Sequence, residues 1–321
     1  MNDGTVPRRW GRGLNWTNLL FFSLTPLAAA LGVGLYARAY GVAPGDLVAF
    51  GAMMFLSAVA IIPGYHRYFA HRSYRASRPL QLFYLLIAPS GFHQSALVWA
   101  SEHRDHHKYV DTDRDPYNVK DGFWWAQIGW ILHGKTRRRF ANIPDLVNDP
   151  LLRWQDRYWL PLGILAGFGL PALIGLAFGR PLGGLLWGGL LRLVVFQHCT
   201  FLINSAAHTV GSRPYIVRQT ARNSWWLDLL TFGEGHHNFH HAFPGDYRIG
   251  HQPWHFDPAK WWIATMRFFG LASHLHRTPR AQIERAADRL SDGGVPAGHA
   301  AGRDDHLPEL HVAGAEGAGA L

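Results

Sequence analysis

The chain has 321 residues, of which 48% are hydrophobic, and it carries a formal net charge of +9 at pH 7. A single cysteine, Cys199, excludes an intramolecular disulfide framework and any cysteine-built zinc or iron–sulfur cluster within one chain. The excess of basic residues fits a nucleic acid, an anionic membrane surface or a phosphorylated substrate, and composition alone does not choose among them.

Four apolar stretches predict membrane-spanning helices. They cover residues 17–36, 47–64, 158–178 and 182–207, and each approaches the ~20 residues that a helix needs to cross ~30 Å of hydrocarbon. The first stretch follows three arginines and resembles a secretory signal. Because it stays apolar beyond its small residues and a second apolar stretch follows at once, we interpret it as a span.

Basic residues indicate on which side of the membrane the loops lie. Arginines cluster before the first span, after the second and after the fourth, whereas Arg180 is almost alone between the third and the fourth. The positive-inside rule therefore predicts that both termini and both large loops are cytoplasmic. Residues 79–101 carry a broken apolar run that favours a short re-entrant or interfacial helix. A fifth span there would separate the polar motifs on either side of it.

The expected organisation is a cytoplasmic N-terminal segment at 1–16, one main domain at 17–290 and a disordered tail at 291–321. Residues 65–157 and 208–290 are polar, aromatic and rich in turn signals, which predicts a helical cytoplasmic cap. The predicted fold class is an all-α integral membrane protein, with four transmembrane helices beneath that cap. Membrane lipid is an expected partner, and nucleic acid is not.

Histidine is unusually frequent, with 20 residues in the chain, and four clusters form a candidate metal site. Offsets of three and four residues share a helix face, so each H-x-x-H-H run is expected to point three imidazoles in a common direction. His66 and His71 are five apart, diverge more, and are expected to bind two different metals. The clusters exceed the needs of one tetrahedral zinc, and shared between two metals they supply four or five nitrogens each. The cluster residues are His66, His71, His103, His106, His107, Asn204, His208, His237, His240 and His241.

The motifs around these clusters resemble those of the membrane fatty-acyl desaturases of the stearoyl-CoA (delta-9) class. The similarity runs over residues 63–275 and includes H-R-Y-F-A-H-R-S-Y, W-A-S-E-H-R-D-H-H-K-Y, D-P-Y-N, N-S-A-A-H and G-E-G-H-H-N-F-H-H-A-F-P. It implies that the nine histidines bind two non-haem iron ions and that Asn204 reaches one iron through a water. The implied reaction uses O2 to insert a cis double bond, expected at delta-9, into a saturated fatty acyl-CoA.

Other residues and partners follow from the same resemblance. Glu234 in G-E-G-H-H is a candidate for orienting a ligating imidazole, with helix capping or a surface role as alternatives. No catalytic side chain beyond the metal ligands is expected. The regions outside the similarity are too short for a fused cytochrome b5-like domain, so a separate ferredoxin, flavin reductase or cytochrome b5-like protein is expected to supply electrons. The expected location is the bacterial inner membrane, with the active site in the cytoplasm. The candidates for contact with CoA phosphates, or with anionic lipid head groups instead, are Lys135, Arg137, Arg138 and Arg139.

Three other functions stay open at this point. One is a desaturase that acts on acyl chains already esterified in phospholipid, and another is a di-iron hydroxylase of fatty acids or alkanes. A third, from a different class, is a non-catalytic metal-binding membrane protein. Such a protein needs a polar path through the bilayer, and the predicted spans offer little beyond Arg192.

Overall fold

Four long apolar helices form the membrane part of the fold. The computed structural model describes residues 13–134 and 140–291, and within them these helices cover Trp16–Tyr40, Pro44–Ala70, Pro150–Leu176 and Pro181–His208. With 25 to 28 residues each, they exceed the length that crosses a hydrocarbon layer. We refer to them as the first to fourth spans. The predicted all-α membrane fold with four transmembrane helices is confirmed.

The third span begins earlier than its apolar stretch. Asp149 caps this helix, because its carboxylate accepts a hydrogen bond from the amide of Leu151 at 2.9 Å, and Pro150 occupies the first helical position. The first two turns of the helix contain Arg153, Asp156 and Arg157, and only the following turns are continuously apolar. Hydropathy alone detects the second part, which is why the sequence places the start near residue 158.

The spans and the cap contain α-helices interrupted by π-helical stretches, which are wound more loosely, and by 3-10 stretches, which are wound more tightly. The α-helices are α1 Trp16–Tyr40, α2 Pro44–Ala60, α3 Arg78–Ile87, α4 Ala96–Tyr109, α5 Trp130–His133, α6 Pro144–Val147, α7 Pro150–Ile164, α8 Leu170–Leu176, α9 Pro181–Gly184, α10 Arg192–Asn204, α11 Trp225–Thr231, α12 His237–Ala242, α13 Pro258–Phe268 and α14 Arg280–Ser291. The π-helical stretches are Ile61–Ala70, Trp125–Gly129, Leu165–Gly169 and Leu185–Leu191, and the 3-10 stretches are Ala88–Gly91, Val119–Asp121 and Ala206–His208. The strands β1 Arg75–Ala76 and β2 Ala272–Ser273 pair antiparallel.

Arg192 lies fully buried where three of these elements meet. Its guanidinium donates hydrogen bonds to the carbonyl oxygens of Gly188 at 2.9 Å, Ser90 at 2.9 Å and Gly167 at 3.0 Å. Gly188 and Gly167 lie in π-helical stretches, and π-winding leaves backbone carbonyls without their usual α-helical partners. The buried guanidinium therefore supplies hydrogen-bond donors to backbone carbonyl oxygens, which the surrounding hydrocarbon cannot do.

Helices α3 and α4 keep the cap on one side of the membrane. Helix α3 has 10 residues and spans about 15 Å, half of a hydrocarbon layer. A 3-10 turn ends it, and α4 starts at the cap residue Ser95, whose hydroxyl accepts from the amide of Val98 at 3.3 Å. The chain between the second span and α4 thus does not cross the bilayer. This arrangement leaves the end of the second span and the whole of α4 facing the same compartment.

A buried ionic cluster joins the second span to the last part of the cap. The guanidinium of Arg67 contacts the carboxylates of Glu234 and Asp257 at 2.9 Å each, and all three side chains are at most 1% exposed. Asp257 also caps α13, because it accepts from the amide of Lys260 at 2.9 Å. A buried charge requires a partner of opposite sign, so this cluster fixes where α13 packs on the second span.

Candidate metal centre

The nine predicted histidines converge into two groups in the cap. In each group, one ring nitrogen from every residue lies within 4.8 Å of the others. The division into five and four agrees with the expected sharing of nitrogens between two metals. The first group is His66, His71, His103, His107 and His240, and the second group is His106, His208, His237 and His241.

Spacings between the ring nitrogens fit the coordination shell of a metal ion. Nε2 of His66 lies 3.0 Å from Nε2 of His240, which lies 3.0 Å from Nε2 of His107. In the second group, Nε2 of His241 lies 3.1 Å from Nε2 of His237 and 3.3 Å from that of His106. Imidazole binds an ion such as Zn²⁺ at ~2.1 Å, so ligands at right angles are ~3.0 Å apart. The donor set therefore fits two metal ions.

The first pair of histidines is brought together by π-winding. The amide of His71 donates to the carbonyl of His66 at 3.1 Å, a bond across five residues, and the two ring centroids are 4.8 Å apart. An ordinary α-helix would turn side chains at this offset well away from each other. The expectation that His66 and His71 bind different metals is therefore wrong, because both lie in the first group.

The two H-x-x-H-H runs are each divided between the groups. His103 and His107, four residues apart, belong to the first group, whereas His106 belongs to the second. The other run is divided in the opposite sense, since His237 and His241 lie in the second group and His240 in the first. Neighbouring residues on a helix point about 100° apart. Each run therefore faces both groups at once, and the expected common direction of three imidazoles is wrong.

Burial disfavours the charged form of six histidines that lie outside the spans. Removal from water disfavours the charged imidazolium, and the neighbouring imidazoles disfavour it further. Only a neutral imidazole has a lone pair to offer a metal, so these side chains are ready ligands at physiological pH. The histidines outside the spans whose pKa lies well below the ordinary value for these reasons are His71, His103, His107, His237, His240 and His241.

In each group, Nδ1 of one imidazole contacts a buried carboxylate. In the first group, Nδ1 of His66 lies 3.0 Å from Oε2 of Glu234, whose other oxygen is bound by Arg67. In the second group, Nδ1 of His106 lies 2.9 Å from Oδ1 of Asp115. A carboxylate at Nδ1 fixes the ring orientation and leaves Nε2 free for a metal. The sequence motifs point to Glu234 but not to Asp115, although Asp115 opens the D-P-Y-N motif.

Further contacts to Nδ1 atoms come from a loop that lies outside the histidine motifs. The hydroxyl of Thr220 lies 2.8 Å from Nδ1 of His208, and Oε1 of Gln219 lies 3.1 Å from Nδ1 of His241. Thr220 is itself held by Asp111, whose carboxylate accepts from its hydroxyl at 2.6 Å. No sequence signal marks these residues, because their role depends on a loop that folds back over the second group.

The remaining candidates from the sequence are Asn204, which the structure describes, and four basic residues, which it does not. Asn204 is the last residue of α10, is half-buried, and precedes His208 by one helical turn. Its role as a water-mediated ligand stays a prediction. The basic residues expected to meet a head group lie outside the described residues, as does the tail beyond residue 291. Those basic residues are Lys135, Arg137, Arg138 and Arg139.

Comparison with known proteins connects this site to one family. The family model described as "Fatty acid desaturase" matches residues 41–277. A "Probable acyl-CoA desaturase" of Schizosaccharomyces pombe is 38% identical over 286 residues, which cover 87% of this chain and 58% of that protein. "Acyl-CoA desaturase 1" of Saccharomyces cerevisiae is 39% identical over 86% of this chain and 54% of its own length. This chain therefore spans little more than half of these two fungal relatives.

A mammalian relative is covered more completely. "Stearoyl-CoA desaturase 5" of Bos taurus is 34% identical over 288 residues, which cover 87% of this chain and 84% of that protein. All three relatives come from eukaryotes and give no support to the expected bacterial inner membrane. The four apolar spans and the family match support the coarser statement that the chain is an integral membrane protein.

Proposed function

Because the chain belongs to the fatty acid desaturase family, we propose that it is an O2-dependent acyl-CoA desaturase that inserts a cis double bond into a saturated acyl chain. The observation that carries this proposal is the pair of histidine groups at the end of the apolar spans, each with Nε2 spacings that suit a metal. We propose C9 as the position, as the sequence resemblance implies.

We propose iron as the metal in both groups, with the nine histidines as ligands and Asn204 acting through a water. Neutral imidazole suits several divalent metals, so the choice of iron rests on the reaction. Two bound iron ions would supply an oxidant strong enough for an unactivated methylene pair, which no side chain can provide. The chain's part is to hold nine imidazoles in place, in a site from which water is largely excluded.

The residues around the ligands fix their protonation and direction. Glu234 and Asp115 each place a carboxylate oxygen within 3.0 Å of Nδ1 of one ligand imidazole, so that Nε2 of that ring faces the metal group. Thr220 and Gln219 hold two further imidazoles of the second group in the same way. A ligand that is held in place before the metal arrives loses less entropy on binding, which favours tight and geometrically defined sites.

The partners follow from the balance of the reaction. Removing two hydrogens from the acyl chain yields two electrons, whereas reducing O2 to two waters needs four. We therefore propose a separate one-electron carrier protein that supplies the other two. We propose a cytoplasmic active site on the basis of the arginine distribution, with fatty acyl-CoA as the substrate and its phosphates near Lys135, Arg137, Arg138 and Arg139.

Expression in a desaturase-deficient host tests the proposal directly. Gas chromatography–mass spectrometry of the cellular fatty acids, with derivatised double bonds, should show a product lighter than its precursor by two hydrogens and unsaturated at C9. A product that gains oxygen would instead indicate a hydroxylase, and unchanged fatty acids from folded, metal-loaded protein would contradict both. A short labelled pulse that resolves CoA esters from phospholipids distinguishes an acyl-CoA substrate from an acyl-lipid one.

A further inference from the structure

The loop that contacts the second histidine group is irregular along its whole length. Residues 213–222, all of which the structure describes, form neither helix nor strand, and we call them the covering loop. At its base, Ser212 and Asn223 exchange backbone hydrogen bonds of 3.0 and 2.7 Å. Near its end, Gln219 and Thr220 contact Nδ1 of two imidazoles of the second group at 3.1 and 2.8 Å. A loop without regular structure needs other partners for its backbone.

The side chain of Asn238 supplies such partners. Its Oδ1 accepts hydrogen bonds from the amides of Tyr215 and Ile216 at 2.9 and 3.2 Å. Its Nδ2 donates to the carbonyl oxygens of Ile216 and Ala221, both at 2.8 Å. A side-chain amide has two donor hydrogens and two acceptor lone pairs, so Asn238 commits its whole capacity to the covering loop. Because Asn238 is fully buried, water cannot take over these bonds.

The position of Asn238 on α12 connects the covering loop to the ligands. Asn238 directly follows His237 and precedes His241 by three residues, and both histidines belong to the second group. Neighbouring residues on a helix point about 100° apart, so Asn238 meets the loop while His237 meets the metal group. Thr220 directly precedes Ala221, the last position that Asn238 binds. The atoms that touch the imidazoles therefore lie next to a fixed point of the backbone.

We propose that Asn238 is a positioning residue for the metal of the second group, because it fixes the covering loop that orients two of the ligand imidazoles. This inference rests on the proposed function, in which the second group binds a metal. Loss of contacts that orient ligands typically lowers metal affinity about 10- to 100-fold. In the first group, Nδ1 of His66 and of His103 are contacted by Glu234 and Tyr117 instead. The first metal should therefore not depend on Asn238.

Binding of Co²⁺ tests the inference without turnover, because Co²⁺ accepts imidazole ligands and its visible absorption reports the bound ion. The test uses full-length protein in detergent, freed of metal with a chelator, in two backgrounds. His66→Ala/His71→Ala leaves the second group intact, and His208→Ala/His237→Ala leaves the first group intact. We expect Asn238→Ala to weaken Co²⁺ binding by about tenfold or more where the second group remains. Where only the first group remains, its affinity should be unchanged.

Two further variants separate positioning from a general loss of stability. The matched control is Asn142→Ala, since Asn142 also joins two segments of the cap, through bonds of 2.8 Å to residues of α4. It should lower the melting temperature but keep the Co²⁺ affinity of the second group. If Asn238 acts through the loop, Asn238→Ala should add nothing to the loss caused by Gln219→Ala/Thr220→Val. Additive losses, equal losses in both backgrounds, or an unchanged affinity in folded Asn238→Ala would overturn the inference.

Hydrogen–deuterium exchange of the metal-free wild type provides a measurement that needs no variant. The amides of Tyr215 and Ile216, which Asn238 binds, should exchange slowly before any metal is added. Exchange at the rate of an unstructured chain would also overturn the inference, because the loop would not be in place to orient the imidazoles. If the wild type binds metal but forms no unsaturated product, the proposed function fails, whereas Co²⁺ binding and exchange still report on Asn238.

Discussion

The backbone amide of His71 donates to the carbonyl oxygen of His66 over 3.1 Å, five residues back along the second span. This π-helical bond turns both imidazoles toward one another, and their ring centroids lie 4.8 Å apart. The wider π-helical turn thus places two histidines that are five residues apart next to each other. π-Helical turns are often found at functional sites, and this one supplies two of the five nitrogens of the first group.

The number of iron ions bound per chain shows whether His66 and His71 bind the same metal or two different metals. Because His66 and His71 lie in the same group, the double variant His66→Ala/His71→Ala should lose about one of two iron ions per chain. Mass spectrometry of the metal content of purified, folded protein measures this. A matched control is His276→Ala, which replaces an exposed histidine outside both groups. Complete loss of metal from a folded double variant would contradict the grouping.

The contact between Glu234 and His66 predicts a second effect. Replacing Glu234 by Gln keeps the size of the side chain and removes the charge that holds Nδ1. Loss of such a supporting carboxylate typically lowers metal affinity or activity by about 10- to 100-fold. Iron titration of the metal-free variant measures the affinity, and circular dichroism checks the fold. Asp228→Asn is the control, because Asp228 holds His236, which belongs to neither group. An equal loss of iron affinity in Glu234→Gln and Asp228→Asn would refute a specific role for Glu234.

Removal of one ligand from the second group should stop turnover. His106 is 3% exposed and lies against Asp115 and His241, so His106→Ala removes a nitrogen and leaves a supporting carboxylate without its partner. We expect the unsaturated product to disappear from the fatty acid profile of the host. The amount of variant inserted in the membrane should be unchanged, as shown by fractionation and immunoblotting. An undiminished ratio of unsaturated to saturated product would refute the assignment of His106 as a ligand.

Local sequence patterns predict a large part of this architecture. Hydropathy locates all four spans, and clustered histidines identify all nine members of the two groups. Both signals are local, because a span needs only apolar length and a ligand needs only its own side chain. Glu234 is also accessible from the sequence, since it directly precedes the fourth cluster, in G-E-G-H-H-N-F-H-H. Asp115 could have been found from its place after the second cluster.

Features that depend on contacts between distant parts of the chain cannot be predicted from local sequence patterns. The widened turn between His66 and His71 requires a backbone bond that no residue pattern specifies. The grouping of His106 apart from His107 depends on where α12 packs against α4. Thr220 meets His208 only because a loop returns across 12 residues and is held there by Asp111, which is 109 residues away from Thr220 in the chain.

A half-buried histidine of the cap predicts a dependence of stability on pH. His251 stacks on Phe239 with ring centroids 4.5 Å apart, and burial, followed by the charges of Arg248 and His236, lowers the pKa of His251 to about 4. The unfolded chain takes up this proton near pH 6.5. Between these values the unfolded state binds more protons, so this group lowers stability as pH falls from 6.5 toward 4.

Replacement of His251 by Phe tests that dependence. The variant keeps a flat ring against Phe239 and loses the titrating group, so its melting temperature should fall less between pH 6.5 and 4.5 than that of the wild type. Scanning fluorimetry of both proteins at equal metal loading gives the difference. His276→Phe is the control, because His276 is exposed. Parallel curves for the wild type and His251→Phe would show that folding does not lower the pKa of His251.

Arg192 should stabilise the membrane part although burial of a cation is costly. Its guanidinium serves three carbonyl oxygens, at Gly188, Ser90 and Gly167. Arg192→Met removes the cost of burying the charge, but each buried carbonyl that loses its partner costs ~1–3 kcal/mol. Because hydrocarbon offers no replacement donor, we expect the loss to prevail and the melting temperature in detergent to fall by several degrees.

Two further variants make the Arg192 measurement decisive. Arg192→Lys keeps the charge but has a shorter reach and no planar fork, so its melting temperature should lie between those of the wild type and Arg192→Met. Arg153→Met removes an exposed arginine of α7 and should leave the melting temperature unchanged. If Arg192→Met melts at or above the wild-type temperature, the carbonyls around Arg192 have other donors, and the buried cation would then serve a purpose other than satisfying the backbone of the spans.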